Sequence, residues 1–312
     1  MTEPAVIVLH DNADWLPPFE RAFAAEGVRL EPWHLGERTI PLGEAPADAV
    51  FWSRLSASAH TRGVPHAFDT ASAVLAWAEA AGRRVVNGSP VAALEVSKVR
   101  QYARLAAAGF DVPRTIAVAG TAGLAEAARA FDGPFITKHN RGGKGLGVRR
   151  FESADELAAA VDAGLLEHPL DGITLLQELL IAPEPFVTRA EFIGGRFHYA
   201  VRVDTSTGFE LCPAEACAVP GDGPAEPLFR VRPEITAEHP LIRRLETFLA
   251  AQGAEIAGVE FFETVDGRTV PYDVNTNTNY SPDVEASVAL PAATAIARFL
   301  GGLARASTAR AA

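Results

Sequence analysis

The chain has little cysteine: Cys212 and Cys217 are the only two in 312 residues. Two thiols cannot make a disulfide framework, and further ligands at recognisable zinc spacing are missing. Unpaired thiols in a reducing cytoplasm are the expected state. Positive charge is scarce as well. Lys and Arg number 28 against 39 Asp and Glu, a formal net charge of −11. That argues against nucleic acid as a partner, which needs a basic surface, but not against a local basic pocket for a small anion. No apolar run approaches the length of a membrane span, so no membrane partner is expected. The opening MTEPAVIVLHDN lacks the basic region of a signal peptide, and a cytoplasmic protein is expected. No convincing Ser–His–Asp or Cys–His set occurs. Low-complexity tracts and internal repeats are absent too. With 48% apolar residues, the chain reads as globular, and its length suits two or three subdomains.

Short apolar runs at 5–10, 28–33, 49–52 and 84–86 alternate with helical patterns at 16–26 and 69–81. That alternation predicts a parallel sheet in an α/β domain over 1–90, closed by a linker at 87–90. A central unit over 91–170 follows. Its first helix starts at Ser97 as N-cap, carries an apolar stripe of Val99, Tyr102, Ala103 and Ala106, and stops at Gly109. Strands at 115–118 and 135–138 flank a helix near 121–131. After a glycine-rich stretch at 141–147 come a strand at 148–151 and a helix at 154–165, opened by Ser153 with Glu156 at the capping-box position. The remainder, 171–312, reads as mostly sheet: a strand at 173–178, a hairpin at Gly194-Gly195 and a hairpin over 257–275. A closing helix spans 284–303, and the tail 305–312 is expected to fray.

Chemistry concentrates in the second half. The hairpin over 257–275 has Asp266-Gly267 as its two-residue turn. Pairing Val265 with Arg268 then sets Glu260 opposite Asp273, and like charges there destabilise a sheet. Asn275 shares the Asp273 face because strand side chains alternate. Such an oxygen cluster suits a hard divalent cation completed by substrate phosphates; an exposed polar sheet face would show the same pattern. In the Gly194-Gly195 hairpin, Ile193 opposite Arg196 would set Arg189 across from Ala200 and Glu191 across from His198. One face would then carry Arg189, Glu191, His198 and Arg202. Paired arginines suit an anion between them, or a solvated face. Lys138 precedes the glycine-rich stretch, whose amides could approach phosphate oxygens; a plain hairpin loop would read alike. Lys98 opens a helix where the macrodipole disfavours a cation, which hints at a phosphate-facing role. The run Gln177-Glu178-Leu179-Leu180 exposes backbone polar groups beside apolar side chains, which suits a flat purine with Glu184 in reach of a ribose; a plain strand-to-loop transition with a surface glutamate would read alike. Arg54, with Ser56 and Ser58, follows a strand of the first sheet, where α/β proteins gather ligands; it could hold a substrate carboxylate, or form a surface salt bridge.

The order of these features resembles the ATP-grasp superfamily and, within it, the RimK-like carboxylate–amine ligases of the α-L-glutamate ligase type. The resemblance covers 85–288, and the first domain suits that layout. It implies an α/β fold: an N-terminal parallel-sheet pre-ATP-grasp domain, a small central α+β domain and a C-terminal antiparallel-sheet α+β domain. It further implies that Lys98 and Lys138 bind ATP phosphates under a loop containing Gly142, Gly143 and Gly145. Glu178 and Leu180 would flank the adenine, and Glu184 would meet the ribose. Arg189 and Arg202 would hold the γ-phosphate or acyl phosphate. Glu260, Asp273 and Asn275 would bind Mg²⁺, with Mn²⁺ as a substitute. The reaction implied joins a small carboxylate to an amine, amino acids or peptides, through an acyl phosphate. Arg54, Asn277 and Asn279 would sit on the substrate side. The chain departs from the family in having Asp273 where glutamate is usual and Asn-Thr-Asn-Thr-Asn-Tyr where a Pro-Gly loop often follows, so glutamate is not implied as substrate. A thiol acceptor and a non-enzymatic ATP-binding regulator are the alternatives, and a homo-oligomer is left open.

Overall fold

The computed structural model describes residues 3–143, 145, 147–206 and 228–311; Cys212 and Cys217 lie outside them. The alternating apolar runs of the first part become β1 (Ala5–His10), β2 (Arg29–His34), β3 (Val50–Arg54) and β4 (Val85–Val86), a parallel sheet in the order β2-β1-β3-β4. Side chains alternate across it. Ile7 and Leu9 pack with α2 (Ala67–Ala80), whereas Val6 and Val8 pack with α1 (Pro17–Ala25) and with α9 (Ala292–Ala311) from the far end of the chain.

Two helices lead out of this sheet, α3 (Ser89–Glu95) and α4 (Lys98–Ala107). The linker expected at 87–90 is therefore not one. Asn87 is buried at a positive φ of 56°. Its side chain donates to the Ile256 carbonyl (2.7 Å) and accepts from the Glu255 and Ile256 amides. Ser97 caps α4 by accepting from the Arg100 amide, and Gly109, with φ 77°, takes the left-handed position after its end. The buried face of α4 is Lys98, Gln101, Tyr102 and Leu105, while Val99 is exposed. The apolar stripe expected from periodicity is thus displaced, because this helix turns polar side chains inward.

The second sheet is antiparallel in the order β5-β8-β6-β7, from β5 (Thr115–Ala119), β6 (Phe135–His139), β7 (Arg149–Phe151) and β8 (Ile173–Glu178). The strand at 173–178 belongs here and not with the later strands. α5 (Leu124–Ala128) and α6 (Ala154–Asp162) cover one face around Phe135, Phe151, Leu157 and Leu176.

The third sheet runs β11-β10-β9-β12-β13, all antiparallel: β9 (Phe186–Ile193), β10 (Arg196–Asp204), β11 (Phe229–Val231), β12 (Ile256–Glu263) and β13 (Thr269–Asn275). α7 (Pro240–Gln252) packs on Ala190, Phe192 and Ala200 of one face. The closing helix is two, α8 (Pro282–Ser287) and α9, separated around Pro291, which has no amide hydrogen to continue the first. Residues 305–311, expected to fray, are helical. Among the described residues no helix is long and apolar enough to cross a membrane.

Candidate active site

The hairpin β12–β13 places Glu260 opposite Asp273, as the sequence predicts, but by a different route. Glu263 pairs with Thr269, so three residues, Val265, Asp266 and Gly267, form the loop instead of two. Gly267 has φ 82°, and the Thr264 amide donates to the Arg268 carbonyl at 2.9 Å. The resulting one-residue offset is cancelled by a bulge at Tyr272, since Phe261 pairs with Pro271 and Glu260 with Asp273. The Tyr272 hydroxyl donates to Glu260.

A bulge also alters the arginine hairpin. The register shifts at His198, so Glu191 faces Tyr199, Arg189 faces Val201 and Arg202 faces Thr188. Arg189 and Arg202 therefore lie on opposite sides of the sheet, and the shared face expected from the sequence is corrected. The bulge adds one residue to β10 and flips every later side chain. Across the other edge, Glu260 faces Arg189.

Helix α4 meets this sheet from the side. Gln101 is fully buried and bonds both backbone groups of Val274: its Nε2 donates to the carbonyl at 2.8 Å, and its Oε1 accepts from the amide at 3.0 Å. Lys98 reaches Asp273 with its ammonium. Asn140, just past β6, accepts from the Val99 amide at 2.8 Å, and its carbonyl accepts from the Lys98 amide at 3.1 Å. These bonds bring the ends of α4, β6 and β13 together. The Lys138 ammonium donates to the Tyr102 hydroxyl at 3.1 Å, and that hydroxyl donates to Gln177 Oε1 at 2.8 Å.

Between the second and third sheets and the first lies a cavity of about 640 Å³. It is lined by Lys98, Lys138, Gly142, Gly143, Gly145, Leu180, Glu184, Arg189, Glu260, Asp273, Asn275, Asn277 and Asn279 of the residues singled out above. Glu178, Arg202 and Arg54 do not line it, nor do Glu191 and His198 of the arginine hairpin. The Glu178 carboxylate turns to the Arg114 amide (2.9 Å) and to Arg268 (3.1 Å), and its neighbours Gln177, Leu179 and Leu180 form the wall. Arg202 lies outside and touches the site through Glu184, at 3.0 Å. Arg54 is buried behind the wall, donating to the Thr278 carbonyl at 2.8 Å and to Asn279 Oδ1 at 3.1 Å.

Electrostatics in the cavity follow from burial. Desolvation lowers the Lys138 ammonium, partly offset by Asp273 and Glu260. Desolvation and then the Asp273 charge raise the Glu260 carboxyl. Burial works against the Arg189 charge, but Glu191 and Glu260 outweigh it and the guanidinium is raised. Glu191 grips Arg189 Nε at 2.7 Å, and the Asn279 carbonyl accepts from its Nη2 at 3.2 Å.

Glu95, at the end of α3, has no place in the sequence reading, yet it lines the cavity. Its carboxylate accepts from the Thr276 amide (2.6 Å), the Thr276 hydroxyl (2.9 Å) and the Ala57 amide (3.3 Å), and burial pushes it up to about 7. Glu95 lies on α3, separated from α4 by the extended Ser97, so no single helical face joins it to Lys98, Gln101 and Tyr102, and no local signal marks it. Tyr272 had none, because only the bulge turns it inward.

Glu260, Asp273 and Asn275 supply oxygen donors alone, which suits Mg²⁺ held by few protein ligands. Among the described residues no group of three or more His, Cys, Asp or Glu is gathered so as to hold a metal ion.

No family model matches the chain, and no curated protein does. Solved structures match over nearly its whole length. A RimK domain ATP-grasp protein from Sphaerobacter thermophilus is 20% identical, with TM-score 0.65, over 95% of this chain and 99% of that one. The ATP-grasp ligase PsnB, in complex with a minimal precursor, Mg and ADP, is 19% identical with TM-score 0.67, over 98% and 99%. The D-cycloserine synthetase DcsG is 18% identical with TM-score 0.64, over 96% and 99%. Their three-dimensional likeness and the sheet arrangement agree: this chain has the ATP-grasp fold.

Proposed function

We propose that the protein is an ATP-dependent ligase that joins a carboxylate to an amine through an acyl phosphate, releasing ADP and phosphate. The observation that carries this reading is one cavity lined by both lysines, Arg189 and the facing Glu260–Asp273 pair. PsnB, which shares the fold, holds Mg and ADP in its own structure. In this chain Leu179, Leu180 and Ile136 offer an apolar slot for adenine, with the backbone at 177–180 supplying its polar contacts and Glu184 the ribose contact. Lys98 and Lys138 hold phosphate oxygens. Lys138 rests on Tyr102, without a carboxylate bonded to it, so its charge is free for an anion. Lys98 pairs with Asp273 and would share that carboxylate with a cation.

Glu260, Asp273 and Asn275 would hold Mg²⁺, whose charge offsets that of the phosphates when bound. Arg189, held by Glu191 and the Asn279 carbonyl, orients the γ-phosphoryl group against the attacking carboxylate. Positioning of this kind contributes most of the rate in phosphoryl transfer. The carboxylate oxygen forms a bond to phosphorus as the bond to ADP breaks; the amine nitrogen then attacks the acyl carbon, phosphate leaves and the amine loses a proton. No protein nucleophile is needed. Gly143 already lies against Ser58 of the first sheet's loop, the position from which a glycine-rich loop keeps water from an acyl phosphate.

Asp273→Ala tests the reading directly. ADP release in the presence of Mg²⁺, pooled carboxylates and pooled amines should vanish, while circular dichroism stays that of the parent. Turnover like the parent's would remove Asp273 from the site. ATP binding without turnover under every pairing would favour a regulator, and product only with thiols would favour a thioester-forming ligase.

A further inference from the structure

The segment after β13 is fixed at almost every polar group. Thr276 gives its amide and hydroxyl to Glu95. The Asn277 amide donates to Asn275 Oδ1 at 2.9 Å. The Thr278 carbonyl and Asn279 Oδ1 accept from Arg54, and the Asn279 carbonyl accepts from Arg189. The Thr278 hydroxyl and the Tyr280 hydroxyl lie 2.9 Å apart.

One group in this run is left over. Asn277 lines the cavity and is 5% exposed, yet neither its Oδ1 nor its Nδ2 has a hydrogen-bond partner. Buried polar groups are nearly always paired, and an unpaired one invites a ligand explanation. The backbone on both sides of Asn277 is anchored, so the unpaired amide is not a symptom of a loose loop. Arg54 Nη1, buried behind the same wall, also lacks a partner.

A carboxamide presents an acceptor and a donor side by side. Its full complement is another amide edge, with a C=O for Nδ2 and an N–H for Oδ1. A carboxylate alone would satisfy only Nδ2, and an ammonium alone only Oδ1; a free amino acid could meet both with its two charged groups, which the amide-free pool below tests. Two chemical sources offer the full edge: a primary carboxamide, or the N–H and C=O of one residue in an extended peptide.

The surrounding wall is neutral as well. Ser56, Ala57, Ser58 and Asn279 line it, and the two serine hydroxyls lie 2.9 Å apart. Of the nearby cations, Arg189 and Lys98 line the cavity but are held by Glu191 and by Asp273, and Arg62 and Arg54 do not line it. Arg62 is bonded to Asp11 at 2.7 Å and to Ser58 Oγ at 3.2 Å, and Arg54 lies behind. Glu95 is occupied by three donors. A second free carboxylate, as on an acidic amino acid, would have to compete with Glu191 and the Asn279 carbonyl for Arg189, or reach Arg54 behind the wall.

We propose that this end of the cavity takes a substrate bearing an amide, read by Asn277 through a paired N–H and C=O; the proposal rests on the ligase reading above. Three substrate pools test it in ADP-release and product-mass assays with Mg-ATP. One holds amide-free amino acids (alanine, serine, glutamate, lysine), one holds asparagine and glutamine, and one holds trialanine. Turnover is expected with an amide-bearing pool; the second pool would point to a carboxamide and the third to a peptide backbone. With the active pool, Asn277→Ala should raise the substrate KM by about 10- to 100-fold while the KM for ATP moves by no more than about twofold. Its melting temperature should not fall, because no bond inside the protein is lost.

Best turnover with the amide-free pool, or an unchanged substrate KM in Asn277→Ala, would overturn the proposal. So would a fall in melting temperature with both KM values shifted together, since that marks a structural residue. ATP binding without ADP release from any pool would instead remove the ligase reading, and this proposal with it.

Discussion

Among single residues, Glu95 joins the most parts. It sits at the end of α3, bonds the loop after β13 and bonds the loop after β3. Burial raises its carboxyl to about 7 from an ordinary 4.5. The unfolded chain therefore gives up this proton first as pH climbs, and the folded state loses stability from about 4.5 up to about 7. The whole window is worth about 3 kcal/mol as an order of magnitude. Below it both states are protonated, and above it both are ionised, so the slope ends. Glu95→Gln should flatten this stretch of the stability–pH curve, read by urea unfolding at pH 5 and pH 7.5. An unchanged slope would assign the pH dependence to other groups.

Elements decide what shares a face, and here two bulges matter more than any propensity. One extra residue at His198 separates Arg202 from Arg189, and another at Tyr272 restores the Glu260–Asp273 pair that a three-residue loop would have broken. Alternation carries a face assignment only as far as the first bulge. Turn residues such as Asp266-Gly267 mark that a hairpin exists, but not whether two residues or three close it. Helix α4 illustrates the converse. Its start and stop were readable from Ser97 and Gly109, since capping is local, but its inward face was not, since Lys98 turns to the cavity, Gln101 to the Val274 backbone and Tyr102 to Lys138 and Gln177, all set by partners far along the chain. Packing between elements also limits substitution. Gly258 on β12 faces Asn275, and a Cβ there would meet the Thr278 methyl at 2.5 Å. Gly258→Ala should cost about 1–3 kcal/mol by overpacking and displace the loop that carries Asn277. Urea unfolding together with the substrate KM would check it, and neither moving would show that the loop adapts freely.

At the scale of the molecule, three sheets converge on one cavity, and polar contacts join them beside apolar packing such as Ile256 against Val6 and Val8. Asn87 joins the end of the first sheet to β12, and Arg84 pairs with Glu255 at 2.6 Å beside it. The net charge of −11 opposes a polyanion at long range, so binding depends on the few cations gathered locally. A ligand that binds only the folded state stabilises it, by about 2.7 kcal/mol at a hundredfold excess over Kd. Mg-ATP should therefore raise the melting temperature, and EDTA should remove much of that gain, if Glu260, Asp273 and Asn275 share a cation with the phosphates. An equal gain with and without EDTA would take the metal out of nucleotide binding.

By itself the sequence determined most of the strands and helices, though not α3, α7 or β11, and that a parallel unit comes first. It also determined the order of lysine, glycine loop, arginine strand and acidic hairpin. These rest on local periodicity, capping and turn chemistry, which act within a few residues. Only the tertiary structure decided that Arg202 leaves the site, that Glu178 turns its side chain away and that Glu95 and Tyr272 enter. It alone left the Asn277 amide unpaired. Each of these depends on a bulge or on a partner far along the chain, and no local pattern carries that information.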